Sequence, residues 1–188
     1  MKRPKILIIT TGGTIDAEGY KGPAPERVTP LEHSIIPATV HMLGHGADCG
    51  FYELCRKDSN DVDVDDLQHL AQVINDPHSE YDYILITHGT DTMPRNARYL
   101  AELLGKTDKT VVFTGAMEPI ANGEHSDGIE NLRMFLETYR DIPAGVHVIM
   151  GETLLPIAGL RKDFKEKRFY ITDEPDNNER LPPLGRSR

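Results

Sequence analysis

Tryptophan is absent from this chain of 188 residues, and cysteine occurs only at positions 49 and 55. Cys49 and Cys55 give neither a disulfide framework nor a C-x-x-C pair, which argues against a stapled secreted scaffold and a thioredoxin-type centre. Long apolar runs are missing too. The first, Ile6 to Ile9, is far too short to span a bilayer and lacks a signal-peptide core, so the cytoplasm is the expected compartment. Basic residues are in deficit, 21 against 30 acidic, for a net charge of −9. That balance opposes nonspecific binding to nucleic acid or an anionic membrane, while leaving room for a local field that attracts an anionic substrate. The phosphate motifs G-x-G-x-x-G and G-K-[ST] are absent as well. What remains is 38% hydrophobic residues, enough for the aliphatic core of one domain.

Short apolar runs alternate with amphipathic stretches. Lys5 to Thr11, Phe51 to Arg56, Asp82 to His88, Thr110 to Thr114 and Gly145 to Met150 read as strands. Between them, Leu31 to Leu43 suggests a helix despite Pro37, and Val64 to Ile74 carries Leu67, Leu70, Ala71 and Ile74 on one face. A third helix bears Met93, Ala97, Leu100 and Leu104, with Pro94 in its first turn. A fourth, from near Ser126, buries Ile129, Leu132, Leu136 and Tyr139. The last strand turns at Gly151-Glu152 into a short return strand. This alternation predicts an α/β three-layer sandwich around a mostly parallel sheet, Rossmann- or flavodoxin-like, with a short C-terminal hairpin. The domain is expected over 1–172, with 173–188 as a mobile tail.

In such sheets ligands bind beyond the carboxyl ends of the strands. Three post-strand loops carry hydroxyls there: Thr10-Thr11-Gly12-Gly13-Thr14, Lys57-Asp58-Ser59-Asn60 and His88-Gly89-Thr90-Asp91-Thr92. Ile15 to Pro30, with Gly19, Gly22, Pro23 and Pro25 before Pro30, reads as a lid. A threonine hydroxyl needs a base before it can act as a nucleophile at neutral pH. Thr90-Asp91-Thr92 places a hydroxyl beside a carboxylate, although Thr92 or Asp91 could simply cap the following helix.

Thr11-Gly-Gly-Thr-Ile15 and His88-Gly-Thr-Asp-Thr-Met93 resemble the two signature motifs of the bacterial L-asparaginases. Lys57-Asp58-Ser59, with Ser59 lying 31 positions before Thr90, resembles the family's substrate-binding serine segment. Val112 to Met117, Ser126-Asp127 and Gly145 to Met150 continue the likeness to about Phe169. It resembles the family's N-terminal domain only, and so a short single-domain branch lacking the C-terminal domain.

The resemblance implies hydrolysis of the side-chain amide of L-asparagine to L-aspartate and ammonia through a threonine acyl-enzyme. It implies Thr14 as nucleophile, Thr90, Asp91 and Lys162 as a second catalytic group, and Tyr20 as the lid tyrosine that approaches Thr14. Gly13, Asp58, Ser59, Gly89 and Asp91 are the implied substrate-binding residues, with Ser59 and Asp91 on the α-carboxylate and α-amino groups. N–H groups beside Thr14 are candidates for an oxyanion hole, worth about 3–4 kcal/mol per donor. Composition alone makes Lys162 a solvated lysine in a charged segment, with Lys165 as the substitute if the register slips. Asn60 stands where two-domain members have glutamine, and an acid supplied by their second domain has no counterpart here, so weaker substrate binding is expected.

Glutamine differs from asparagine by one methylene, worth about 1–3 kcal/mol of discrimination. An amidase for glutamine or another small amide is therefore the nearest alternative. A non-catalytic amino-acid sensor and an ammonia-supplying subunit come next. Asp58, Asp61, Asp63, Asp65 and Asp66 suggest a metal cluster, but Asp63 as N-cap with two first-turn acids accounts for most of them. His33, His41 and His45 could align on a helix, without a carboxylate in register. Asp127 and Glu130 read as helix-start acids. No metal and no cofactor are expected, and a homo-oligomer, dimer or tetramer, is expected to bind a small-molecule substrate.

Overall fold

The chain is described by a computed structural model covering residues 3–174 apart from 23, 24 and 26. The tail expected from 173 thus falls, from 175 onward, outside the described residues. Isoleucine-rich β1 (Lys5–Gly12) runs between β2 (Asp48–Lys57) and β3 (Tyr83–Thr87), followed by β4 (Thr110–Thr114) and β5 (Gly145–Met150). These five strands are parallel in the order 2-1-3-4-5, the flavodoxin-like arrangement, and β6 (Thr153–Pro156) adds antiparallel to β5.

Strand side chains alternate between two faces, so one β1 run supplies two cores. Leu7 and Ile9 join Ile84, Ile86, Val111 and Phe113 beneath α2 (Val64–Ile74) and α3 (Met93–Leu104). Ile6 and Ile8 join Leu85, Val112 and Ile149 beneath α1 (Ile36–Leu43) and α4 (Gly128–Thr138). Phe113 and Phe135, each fully buried in a different layer, contribute up to about 3 kcal/mol apiece from area burial. The three-layer α/β expectation therefore holds, with its C-terminal hairpin formed by β7 (Leu160–Asp163) and β8 (Arg168–Ile171). Among the described residues no helix is long and apolar enough to cross a membrane.

Some boundaries differ from the sequence expectation. The first helix begins at Ile36 instead of Leu31, with Pro37 in its first turn. Residues 31–35 stay out because the Ile35 N–H donates to the Asp16 carboxylate at 2.8 Å. A shortened α1 contains His41 but neither His33 nor His45, so no helical histidine row forms. Asp63 does cap α2, and Asp66 returns the bond to the Asp63 N–H, completing a capping box.

Candidate active site

Glycines bring the three loops together. The Gly13 N–H donates to the Lys57 carbonyl at 3.0 Å, joining the first loop to the second. A side chain on Gly13 would land on the Gly89 backbone, and one on Gly89 would meet Ser59 Cβ at 2.6 Å. Gly115, after β4, packs as tightly, since a Cβ there would lie 2.5 Å from the His88 carbonyl oxygen. Four loops can approach at backbone distance only because these positions carry no side chain.

Thr14 opens a 3-10 turn, Thr14–Asp16, and is half-buried. The Gly13 N–H is committed to Lys57, and those of Asp16 and Ala17 to the Gly13 and Thr14 carbonyls. That corrects any oxyanion role for Gly13 N–H. The first N–H groups of a helical turn have no partner within it, so Thr14 and Ile15 are the donors the turn leaves over. Beyond the turn, an Ala17–Pro30 bridge and a Glu18 N–H to Thr29 bond of 2.8 Å close the base of the lid. Burial pushes the Asp16 carboxyl above its usual range, opposed by hydrogen bonds from Ser34 and Ile35.

On the second loop, Ser59 is buried against Gly89. The Asp58 carboxylate instead accepts from Asn60 N (2.9 Å) and Nδ2 (3.0 Å), so it caps its own turn and occupies the Asn60 amide. Thr92 stands at the start of α3 without capping it. Its hydroxyl donates to the Ser59 carbonyl at 2.8 Å, pinning the second loop to the third.

Lys162 reaches this rim from β7, a segment whose charge suggests solvation. Leu160 anchors the hairpin in the core, and Arg98 of α3 donates to its carbonyl at 2.9 Å. Lys162 Nζ donates to Thr90 Oγ1 at 2.7 Å and to Asp91 Oδ1 at 2.5 Å. The Lys162 side chain is only 9% exposed, against 38% for Asp91. The Phe164 ring lies over the ammonium, 5.2 Å from centroid to Nζ. Lys165 lies exposed in the hairpin turn, so the register favours Lys162.

Tyr20 is tied to the loop after β4, where its N–H donates to Asn122 Oδ1 at 2.9 Å. The Asp127 carboxylate accepts from Met117 N and Glu118 N at 2.8 and 3.1 Å. It therefore braces that loop, whereas the sequence suggested a helix-start acid. Burial pushes both thiols up, Cys49 to about 11 and Cys55 to about 12, which keeps them protonated at neutral pH and unsuited as nucleophiles. Among the described residues no group of three His, Cys, Asp or Glu side chains is arranged to hold a metal ion.

His88 and Asn96 are the supporting residues that sequence reasoning passed over. Arg95 Nε donates to Asn96 Oδ1 at 3.1 Å, which turns the amide nitrogen toward His88 Nε2 at 3.0 Å and Thr92 Oγ1 at 3.2 Å. His88 Nε2 therefore accepts, and Nδ1–H donates to the Gly89 carbonyl at 2.7 Å. Complete burial lowers the His88 pKa to about 4. The available signal was a histidine just past a strand followed, eight positions later, by an asparagine near the start of the next helix.

Because His88 is neutral when folded and titrates near 6.5 when unfolded, the unfolded state binds more protons between those values. Its contribution to stability is full above pH 6.5 and falls as pH drops toward 4, by about 3 kcal/mol in all. Asp16, raised by burial, works in the opposite sense. A His88→Gln variant should therefore lose less of its urea midpoint than the parent between pH 6.5 and 4. Equal losses would refute a buried neutral His88.

Fold and loops define an α/β protein with a polar, hydroxyl-bearing cleft at the carboxyl edge of a parallel sheet, of the kind that suits acyl transfer. The family description "Asparaginase, N-terminal" matches residues 5–169. This chain belongs to the asparaginase family. It is 33% identical to L-asparaginase 2 of Escherichia coli K12 over 156 residues, 81% of this chain and 44% of that protein. It is 41% identical to L-asparaginase 1 of the same organism over 144 residues, 70% of this chain and 39% of that protein. The crystal structure of a probable cytoplasmic L-asparaginase from Campylobacter jejuni superposes with a TM-score of 0.72 at 26% identity, covering 91% of this chain and 54% of the other. The chain thus spans about half the length of the relatives it matches or less.

Proposed function

We propose that this chain hydrolyses the side-chain amide of L-asparagine to L-aspartate and ammonia. The observation that carries the reading is Lys162, its side chain 9% exposed, bonded to both Thr90 and Asp91 on a loop packed against those of Thr14 and Ser59. Thr14 Oγ1 attacks the amide carbonyl as its proton passes to a base. The tetrahedral oxyanion is met by N–H groups at the start of the Thr14 turn. The C–N bond breaks, the nitrogen leaves as ammonia with a proton, and a Thr14 ester remains. Water then adds to the ester, its proton passes to the base, and aspartate departs as Thr14 Oγ1 regains its hydrogen.

In this reading Thr90 and Lys162 relay the proton, and neutral Lys162 is the form able to accept it. Ser59 and Asp91 hold the substrate's α-carboxylate and α-amino groups, selecting a free amino acid. Cytoplasmic residence belongs to the same proposal, supported by the name of the Campylobacter protein. So does a homo-oligomer, dimer or tetramer, supported by Phe164, Tyr170 and Ile171, exposed on the β7–β8 hairpin.

Ammonia release by purified protein from asparagine, beside glutamine and a Thr14→Ala control, tests the proposal. Release from asparagine should fall to background in the control. Equal release by the control would exclude Thr14 as nucleophile. Release from glutamine alone would reassign the substrate.

A further inference from the structure

Glu118 lies outside every motif that the sequence reading used, yet it is among the most heavily braced residues near the cleft. Its N–H donates to Asp127 at 3.1 Å, and its carbonyl accepts from Ser126 Oγ at 2.8 Å. Its backbone is thus held from both sides by the residues leading into α4. Its carboxylate meets two donors, Asn122 Nδ2 at 3.3 Å and Lys167 Nζ at 3.5 Å, and Glu118 shares a cavity wall with Tyr20 of the lid.

Asn122 links Glu118 to the lid. Its Nδ2 holds Glu118 while its Oδ1 accepts the Tyr20 N–H at 2.9 Å. Gly19 packs so closely that a Cβ there would lie 2.8 Å from that same oxygen. Gly19, Tyr20, Glu118, Asn122 and His125 line a cavity of about 840 Å³ along the lid. Lys167 lies in the turn between β7 and β8, where its φ of 48° is in the left-handed region. That hairpin also carries Lys162.

We propose that Glu118 is a positioning residue that latches the lid, holding Tyr20 and the Lys162-bearing hairpin in one arrangement around the cleft. The bonds differ in strength. Lys167 and Glu118 are 51% and 31% exposed, so their ion pair is screened and weak. Asn122, which also accepts the Tyr20 N–H, makes the shorter contact, and hydrogen bonds to a carboxylate are the stronger kind. Burial first, then the neighbouring Glu118, pushes the Tyr20 hydroxyl up to about 12, so it stays protonated beside that carboxylate. The lid is therefore clasped chiefly through Asn122, and the hairpin is steered more loosely.

The catalytic part of this inference rests on the asparagine-hydrolysis reading, whereas the latch itself does not. Hydrogen exchange of peptides covering 18–29 reads the latch without any substrate. In Glu118→Ala, exchange there should rise about tenfold, and in Glu118→Gln, which keeps one acceptor oxygen, by less. Unchanged lid exchange in Glu118→Ala would overturn the latch. Should that variant fail to fold, the Gln variant decides alone, with parental exchange overturning it.

Kinetics supply the second readout. Glu118→Ala should lower kcat for asparagine about tenfold in the parent and barely at all in an Asn122→Ala background, because both changes cut the same link to the lid. Equal effects in both backgrounds would show a merely structural role and overturn the positioning role. Absence of ammonia release from the parent would remove the substrate reading while leaving the exchange result to judge the latch.

Discussion

Replacing Lys162 with methionine is expected to lower kcat for asparagine by about 10²–10⁴-fold, the range lost when a positioned proton-transfer group is removed. Methionine is unbranched and only one atom shorter, and it can lie against Phe164, so packing of the hairpin survives. It cannot donate to Thr90 or Asp91, both of which Lys162 contacts directly. Asp91 is 38% exposed and regains water once its partner is gone, so the melting temperature should move little. KM should change less than kcat, since Ser59 and Asp91 remain to hold the substrate. Arginine at 162 should not restore turnover, because a planar guanidinium is always charged and cannot accept the proton. Ammonia-release kinetics and thermal melts of both variants make the check. Near-parental kcat in Lys162→Met would remove Lys162 from the mechanism.

The second large effect is expected at a position with no side chain at all. Gly13 has φ 79° and ψ −179°, a combination essentially confined to glycine. Alanine there incurs strain of about 1–3 kcal/mol, and its methyl also strikes the Gly89 backbone, which must move. Gly13→Ala should therefore destabilise by about 3 kcal/mol or more and separate the Thr14 loop from the Thr90 loop. Activity should fall further than the loss of folded protein explains, because the displaced residue is the neighbour of the nucleophile. Gly44 is the matched control. It too has positive φ, 59°, but a Cβ would meet nothing within 4 Å. Gly44→Ala should cost only about 1–2 kcal/mol and leave turnover intact. Urea midpoints and specific activities of the pair test this, and equal losses at the two glycines would contradict the close-approach argument.

Much of the fold was legible because its determinants are local. Runs such as Ile6 to Ile9, Ile84 to Ile86 and Val111 to Phe113 fill both faces of a parallel sheet, and only doubly covered strands can be so uniformly apolar. Asp63 as the N-cap of α2 was likewise visible, while the return bond from Asp66 that completes the box came from the structure. The errors fall where a distant partner claims a local group. Asp16 takes the Ile35 N–H and delays α1, although Leu31 to Leu43 has the pattern of a longer helix. Thr92 and Asp127 occupy cap positions by sequence but turn their side chains to Ser59 and to Met117 and Glu118.

The candidate site divides the same way. The Gly12-Gly13-Thr14 turn and the His88 to Thr92 run were determined by the sequence itself, since consecutive residues at a strand exit share one loop whatever surrounds them. Composition made Lys162 a solvated lysine and only the family resemblance grouped it with Thr90; the tertiary structure brings the two together across 72 positions and leaves the Lys162 side chain 9% exposed. The fold alone made His88 a neutral Nδ1–H donor and set Glu118 between lid and hairpin. Composition fixes which charges a chain carries. Desolvation and hydrogen-bond partners fix what those charges can do, and both depend on segments that meet only when the sheet has formed.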